Sequence, residues 1–287
     1  MTKITSQSID SPIKPTWCPG CGNFSILRSL RAAIIELGIN QEDLRIVYGI
    51  GCSGNMADFN KTQALHSLHG RAIPNAIGIK LANHKLKIIV IAGDGDTYGE
   101  AINHLTAASR GNHDISVFVH NNMVYSLTTG QSSPTTAKGI VTKSTPDGVI
   151  EKPVNPVALA LAAEASFVAR GYTGKGKQLI SLMKQAIEHS GFSLLDIFQP
   201  CPTFNKVNTD KWFNQYVYDL DAKDYSVEDK KAAWDKSQET EHLPIGLFYQ
   251  EKDSVPYHAQ VKNLKNKTLL EQMPTKVNLS KAMEKFY

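Results

Sequence analysis

Two polar stretches carry residue types whose spacing points to phosphate and metal chemistry. Gly93-Asp94-Gly95-Asp96 follows the apolar run KIIVIA, and Asn121-Asn122 follows ISVFVH, with residues 96–120 between Gly95 and Asn121. An Asp flanked by glycines lets the backbone come close to an anion. A helix starting behind Gly95 and Asp96 would offer free N–H groups to a phosphate. The Asp carboxylate, an Asn carbonyl one strand over, a main-chain carbonyl and two phosphate oxygens form the octahedral oxygen set that Mg2+ prefers. Either stretch alone reads as an ordinary turn; at matched strand ends they read together as a metal–diphosphate clamp. A rival for the glycines is Gly49-x-Gly51-x-x-Gly54, a dinucleotide-type pattern after RIVYGI. That pattern wants an acidic residue about 20 positions on at the end of a second strand, and residues 70–78 read GRAIPNAIG instead.

All four cysteines stand in polar or Gly/Pro-rich segments: Cys18 and Cys21 in CPGC, Cys52 in GIGCSGN, and Cys201 before Pro202. Free structural cysteine prefers apolar neighbours, so ligation or redox chemistry is the better account. Structural zinc usually gathers two close Cys/His pairs, and only one pair is present. A redox CxxC would leave Cys52 and Cys201 without a role. A [4Fe–4S] cluster accepts one close pair and two distant thiolates, which favours it over the other two readings.

These residues need elements to hold them. FSILRSLRAAIIEL (24–37) has helical spacing with Gly38 as a stop. RIVYGI (45–50), KIIVIAG (87–93), ISVFVH (115–120) and SLLDIFQ (193–199) read as strands buried on both faces. Helices are expected at 71–83, 97–109, 155–166 and 177–190. This alternation implies an α/β fold with a mainly parallel sheet and helices on both faces, where ligands bind beyond the carboxyl ends of the strands. Residues 1–220 form the expected α/β domain. In 221–287 the composition shifts, with 22 of 67 residues charged, so this part reads as a C-terminal arm that docks a partner or wraps the domain.

Composition narrows the functional classes. The 287 residues are 41% hydrophobic and 20% charged, with a formal net charge of +4, and mean hydropathy is −0.25. The chain is globular, has no apolar run long enough for a bilayer, and is too mildly basic to suggest nucleic acid. The start MTKITSQSIDSPIKP lacks a secretory apolar region, so a cytoplasmic location is expected.

The GDG element followed by the Asn pair resembles the thiamine-diphosphate enzymes. In combination with the cysteines the resemblance narrows. WCPGCGN (17–23), GIGCSGN (49–55), LHGRAIPNAIGIKLAN (68–83), AGDGD (92–96), NNMVYSLTTGQSSPTT (121–136) and QPCPTFN (199–205) resemble, in order, the β subunits of 2-oxoacid:ferredoxin oxidoreductases. IGLFYQE (245–251) resembles their C-terminal part. The resemblance implies a thiamine-diphosphate-binding fold with Mg2+ held by Asp94, Asn122 and the Val124 carbonyl. Gly95 and Asp96 would touch the diphosphate, while Ile50, Gly51, Cys52, Ser53 and His69 line the cofactor. His69 also suits a helix cap, since a helix follows it. Ser126 and Leu127 would lie near the reacting end, Asn55 and Leu127 by the substrate, and Cys18, Cys21, Cys52 and Cys201 would bind a [4Fe–4S] cluster.

The implied reaction is oxidative decarboxylation of a 2-oxoacid with coenzyme A to acyl-CoA and CO2, ferredoxin taking the electrons. The substrate favoured is 2-oxoglutarate, then pyruvate. A cation for a second substrate carboxylate would come from Arg71, Lys80 or another subunit. A single α/β unit leaves the activating Glu to an obligate α subunit, in a heterodimer or an α2β2 assembly. The rivals are a non-oxidative thiamine-dependent decarboxylase subunit, with incidental cysteines, and a non-catalytic iron–sulfur electron carrier.

Overall fold

The computed structural model describes residues 2–220, 225–274 and 278–286, so the expected C-terminal arm lies outside the described residues at 221–224, 275–277 and 287. Helices α1 (Ser6–Ile9) and α2 (Asn23–Glu36) precede β1 (Leu44–Tyr48) and a short β2 (Ala64–His66). Next come α3 (Ala72–Ala82), β3 (Lys87–Gly93), a π-helical turn at Gly95–Glu100, α4 (Ile102–Arg110) and β4 (Ser116–Asn121). A long polar loop leads to α5 (Pro156–Ala162), β5 (Phe167–Tyr172), α6 (Gly176–Glu188) and β6 (Ser193–Phe198). The chain continues through α7 (Asp210–Tyr216), β7 (Val217–Asp219), α8 (Lys230–Ser237), β8 (Leu243–Gln250), α9 (Tyr257–Gln260) and α10 (Ser280–Met283).

The strands form one sheet in the order β2-β1-β3-β4-β6-β5-β8-β7. It is parallel from β2 to β5, and β8 joins antiparallel to β5. Alternate strand residues feed two cores. Ile89 and Ile91 pack with Leu30 of α2 and Leu182 of α6, whereas Ile88 and Val90 pack with Ile73 of α3 and Leu105 of α4. Helices therefore cover both faces, which is why the strands are apolar throughout.

Register decides what happens at the sheet's edge. Tyr48 pairs with Ile91, Gly93 with His120, and Asn121 with Phe198. The neighbouring strands β1, β3, β4 and β6 thus end nearly level, and the loops at 49–55, 93–100, 121–136 and 199–205 emerge side by side.

Four strands escape the apolar-run reading: the three-residue β2 and β7, and the longer β5 and β8. β5 contains Arg170 and Gly171, which break its pattern, yet Arg170 is buried because its Nε donates to Asp196 on β6 at 3.3 Å. The helix expected to 166 ends at Ala162, and Glu164 turns the chain at φ 65° to enter β5. β8, inside the charged arm, lies in the main sheet and sends Phe248 into the core. Beyond β8 the chain runs along the amino ends of β3 and β4. There Tyr257 stacks on His113, His258 stacks on His84, and Asn112 donates to Ser254 Oγ and the Val255 carbonyl.

Candidate active site

Asp94 directly follows β3 and is 2% exposed. Its Oδ2 accepts the hydroxyls of Ser133 at 2.5 Å and Thr135 at 2.7 Å, both from the polar loop after β4. Burial pushes its carboxyl up to about 6, while the two hydroxyls pull it back. A buried carboxylate raised in this way is stabilised by a cation. Asn122 sits opposite, its Oδ1 accepting the Val124 N–H at 3.1 Å and its Nδ2 donating to Ser126 Oγ at 3.2 Å. Asn121 takes a structural part: it donates to Asp196 at 3.0 Å, and its Oδ1 lies 2.9 Å from the Thr135 hydroxyl oxygen, setting β4, β6 and the polar loop side by side.

Asp96 ties its own turn to two other loops. Its carboxylate accepts the N–H of Gly70 at 2.7 Å and of Ile50 at 3.3 Å, and His69 Nδ1 lies 2.7 Å away. Burial raises this carboxyl, and the Gly70 N–H leads the opposing contacts. A Cβ on Gly49 would overlap Asp96, and one on Gly54 would overlap the Gly49 carbonyl. The Gly49–Gly54 pattern therefore serves close backbone approach. The helix after it spans only Gly54–Phe59, too short for the helix N-terminus of a dinucleotide fold. The helix expected at 97–109 begins as a π turn, which aims Tyr98 inward to donate to Asp196 at 3.0 Å.

These loops line an open cavity of about 80 Å³, and Asp94, Gly95, Asp96, Asn122, Val124, Ile50, Gly51, Cys52, Ser53, His69, Ser126 and Leu127 all face it. A second cavity of about 170 Å³ is lined by Cys18, Cys21, Cys52 and Cys201 together with Asn55. Cys52, Asn122, Ser126, Leu127 and Gln199 line both, so the two share a wall. Asn55 belongs to the cysteine side. Leu127, 50% exposed, stands at the mouth. Lys80 is not a substrate cation: at the far end of α3 it pairs with Asp114 at 2.6 Å and donates to the Leu86 carbonyl. Arg71 is exposed and lines neither cavity.

The cysteine loops converge because α2 starts at Asn23, directly after the Cys18–Cys21 turn, and its Gly22 N–H bonds the Pro200 carbonyl beside Cys201. A Cβ on Gly22 would overlap Gln199. Burial pushes the Cys21 thiol up to about 11, and the Cys201, Cys52 and Cys18 thiols push the same way. Burial also raises Cys52, against a hydrogen bond from Ser126. Among the described residues no three His, Cys, Asp or Glu side chains converge to hold a single metal ion.

Two lining residues, His120 and Gln199, have no signal in motif spacing, whereas Ser53 belongs to the expected lining. Buried Ser53 Oγ, His120 Nε2 and Gln199 Oε1 have no protein partner, and all three residues face the first cavity. Buried polar groups without partners call for a polar occupant. His120 lies within β4 and Gln199 directly after β6, where sequence patterning reads only burial. Ser133 and Thr135 are legible only as part of a Ser/Thr-rich loop.

Comparison with known proteins bears on this site. Residues 49–197 match the family described as thiamine pyrophosphate enzyme, C-terminal TPP binding domain, and residues 201–266 match the C-terminal family of the pyruvate ferredoxin oxidoreductase beta subunit. The chain is 46% identical over 259 residues to a Sulfolobus 2-oxoacid:ferredoxin oxidoreductase subunit beta, covering 86% of this chain and 85% of that protein. It is 44% identical over 189 residues to the 2-oxoglutarate oxidoreductase subunit KorB of Mycobacterium tuberculosis, covering 66% of this chain and 51% of the relative. Among solved structures, the 2-oxoglutarate:ferredoxin oxidoreductase of Magnetococcus marinus, with 2-oxoglutarate, coenzyme A and succinyl-CoA bound, superposes with a TM-score of 0.88. That match has 33% identity and covers 98% of this chain and 95% of that one.

Proposed function

This chain belongs to the β-subunit family of the 2-oxoacid:ferredoxin oxidoreductases, and from that premise we propose that it carries the thiamine-diphosphate and iron–sulfur half of such an enzyme. The reaction is oxidative decarboxylation of a 2-oxoacid with coenzyme A to acyl-CoA and CO2, with ferredoxin as electron acceptor. The observation that carries this reading is the wall shared by the Asp94–Asn122 cavity and the four-cysteine cavity.

Asp94, Asn122 and the Val124 carbonyl are the residues to hold Mg2+, a hard oxygen set. The four cysteines are the residues to hold a [4Fe–4S] cluster, since sulfurs spread around a cavity suit a polynuclear group better than one ion. When bound, thiamine diphosphate supplies the electron sink for loss of CO2 and the cluster supplies one-electron acceptance. The chain's own residues orient and enclose. Ser133 and Thr135 fix the Asp94 carboxylate, and Asp96 pins the Ile50 and Gly70 loops. Leu127 keeps the mouth apolar.

Among the described residues no glutamate lines either cavity, which supports an activating Glu contributed by an α subunit. Exposed Leu68, next to His69, and exposed Val207 give that subunit an apolar rim to cover. Within 221–287, β8 joins the main sheet and residues 254–258 pack at the amino ends of β3 and β4, which supports a wrapping role. For substrate we favour 2-oxoglutarate, on the likeness to the Magnetococcus enzyme, with pyruvate next. The described helices include none long and apolar enough to cross a membrane, in keeping with a cytoplasmic location.

The test is anaerobic co-purification with the α subunit, followed by cofactor stoichiometry and ferredoxin reduction over a panel of 2-oxoacids. Bound iron, bound thiamine diphosphate and coenzyme A-dependent ferredoxin reduction are expected. A colourless protein that releases aldehyde, or an iron protein that binds no thiamine diphosphate, would overturn the reading.

A further inference from the structure

The wall between the two cavities contains a directed hydrogen-bond chain. Asn122 Nδ2 donates to Ser126 Oγ at 3.2 Å, and Ser126 Oγ donates to Cys52 Sγ at 3.4 Å. Direction follows from valence: the amide nitrogen has no free pair to accept, so the single hydroxyl proton goes to the sulfur. Asn122 and Ser126 are 7% and 8% exposed, so water competes little for either bond. At one end of the chain stands the amide proposed to ligate the cation, and at the other a sulfur proposed to ligate iron.

A cation on Asn122 Oδ1 draws electron density from the amide and makes Nδ2–H a stronger donor. In a low-dielectric wall that polarisation passes along the chain and strengthens the Ser126 hydroxyl as a donor to Cys52. A hydrogen bond to a ligating sulfur favours the more electron-rich, reduced cluster and so raises its potential. Two other groups bond the cysteine loops: Trp17 Nε1 donates to the Cys52 carbonyl at 2.7 Å, and Gln199 Nε2 reaches Cys21 Sγ at 3.8 Å. Trp17 makes no bond to the metal loop, whereas Gln199 lines the metal–diphosphate cavity and donates its N–H to the Asn121 carbonyl at 3.0 Å, so it is a second route that the Ser126 variants must separate from the first.

Resting on the function proposed above, we propose that Ser126 is a positioning residue that couples the two sites, so that filling the metal–diphosphate cavity raises the reduction potential of the cluster through Asn122, Ser126 and Cys52. Reciprocity follows from linkage: the reduced cluster binds the Mg2+–diphosphate more tightly by the same factor. The cluster is then readiest to accept an electron when the thiamine cofactor is seated.

The experiment is a redox titration of the cluster, followed by electron paramagnetic resonance, on the full chain co-produced with its α subunit, purified anaerobically and stripped of thiamine diphosphate. Each sample is measured without and with thiamine diphosphate plus Mg2+, alongside iron and sulfide content. In the wild type the midpoint should rise on adding the cofactor. Ser126→Ala should start lower and lose that rise, and Ser126→Thr, which keeps the hydroxyl, should restore both. A through-space effect of the added charge would persist in Ser126→Ala, and that result overturns the proposal. So does an iron-loaded wild type whose midpoint ignores the cofactor, a measurement that stands even if the alanine variant loads poorly. A wild type without iron instead overturns the reading of the cysteines.

Discussion

At the residue scale the proposed metal site rests on a buried carboxylate whose charge a cation would offset. With its carboxyl raised to about 6 by burial, Asp94 is largely ionised at neutral pH while enclosed at 2% exposure. Asp94→Ala should lose thiamine diphosphate yet retain iron, because the cysteines occupy the neighbouring cavity. Isothermal titration with the cofactor and iron analysis check both halves, and loss of iron as well would contradict the separate assignments. Thr135 touches Asp94 without facing the first cavity. Thr135→Val should weaken Mg2+-dependent cofactor binding about 10–100-fold, the usual range for residues that orient a ligand.

At the element scale the π turn and the buried pair in β5 and β6 belong together. Asp196 is 0% exposed and accepts from Tyr98 of the turn, Asn121 of β4 and Arg170 of β5. Arg170 also lies over the Phe198 and Phe248 rings at 4.9 and 5.5 Å. Arg170→Met removes the cation and leaves the carboxylate buried without it, which typically costs about 3–5 kcal/mol. Urea unfolding should show that loss, and a change under about 1 kcal/mol would mean that water or relaxation solvates Asp196. The turn itself tolerates no side chain at its start, since a Cβ on Gly95 would overlap the Tyr125 ring. Gly95→Ala should therefore reduce cofactor affinity more than it reduces the unfolding midpoint. The same buried ion pair hid β5 from the sequence: a charged residue followed by Gly reads as a loop unless its partner, 26 residues later, is known to stand beside it.

At the scale of the whole molecule, the edge of the sheet opposite the site carries its own polar packing. His189 lies against Ser166 Oγ at 2.8 Å and near the Phe167 ring, and burial pushes its imidazole down to about 4. The folded state keeps this ring neutral, whereas the unfolded chain protonates it near 6.5. Between those values the unfolded state binds more protons, so stability should fall as pH drops from about 6.5 to about 4 and level off below. His189→Gln should flatten that part of the stability profile in denaturant titrations, and an unchanged slope would assign it to other groups. The charged composition of 221–287 suggested a separate arm, yet β8 inside it completes the sheet. Eight apolar or neutral residues (243–250) weigh little in a window of 67 residues.

What the sequence determined by itself was four of the parallel strands, the glycine–aspartate and asparagine loops at their ends and the cysteine loops, because each depends on local patterns: apolar runs, glycine beside Asp, and Cys among polar neighbours. The relation between these parts was decided only in three dimensions. Strand order and register bring four strand ends level and set Cys52 and Ser126 in the wall between two cavities. Those contacts join residues as much as 178 positions apart, such as Gln199 and Cys21. Packing between distant segments leaves no periodic trace along the chain, and so the proximity on which the chemistry depends belongs to the fold.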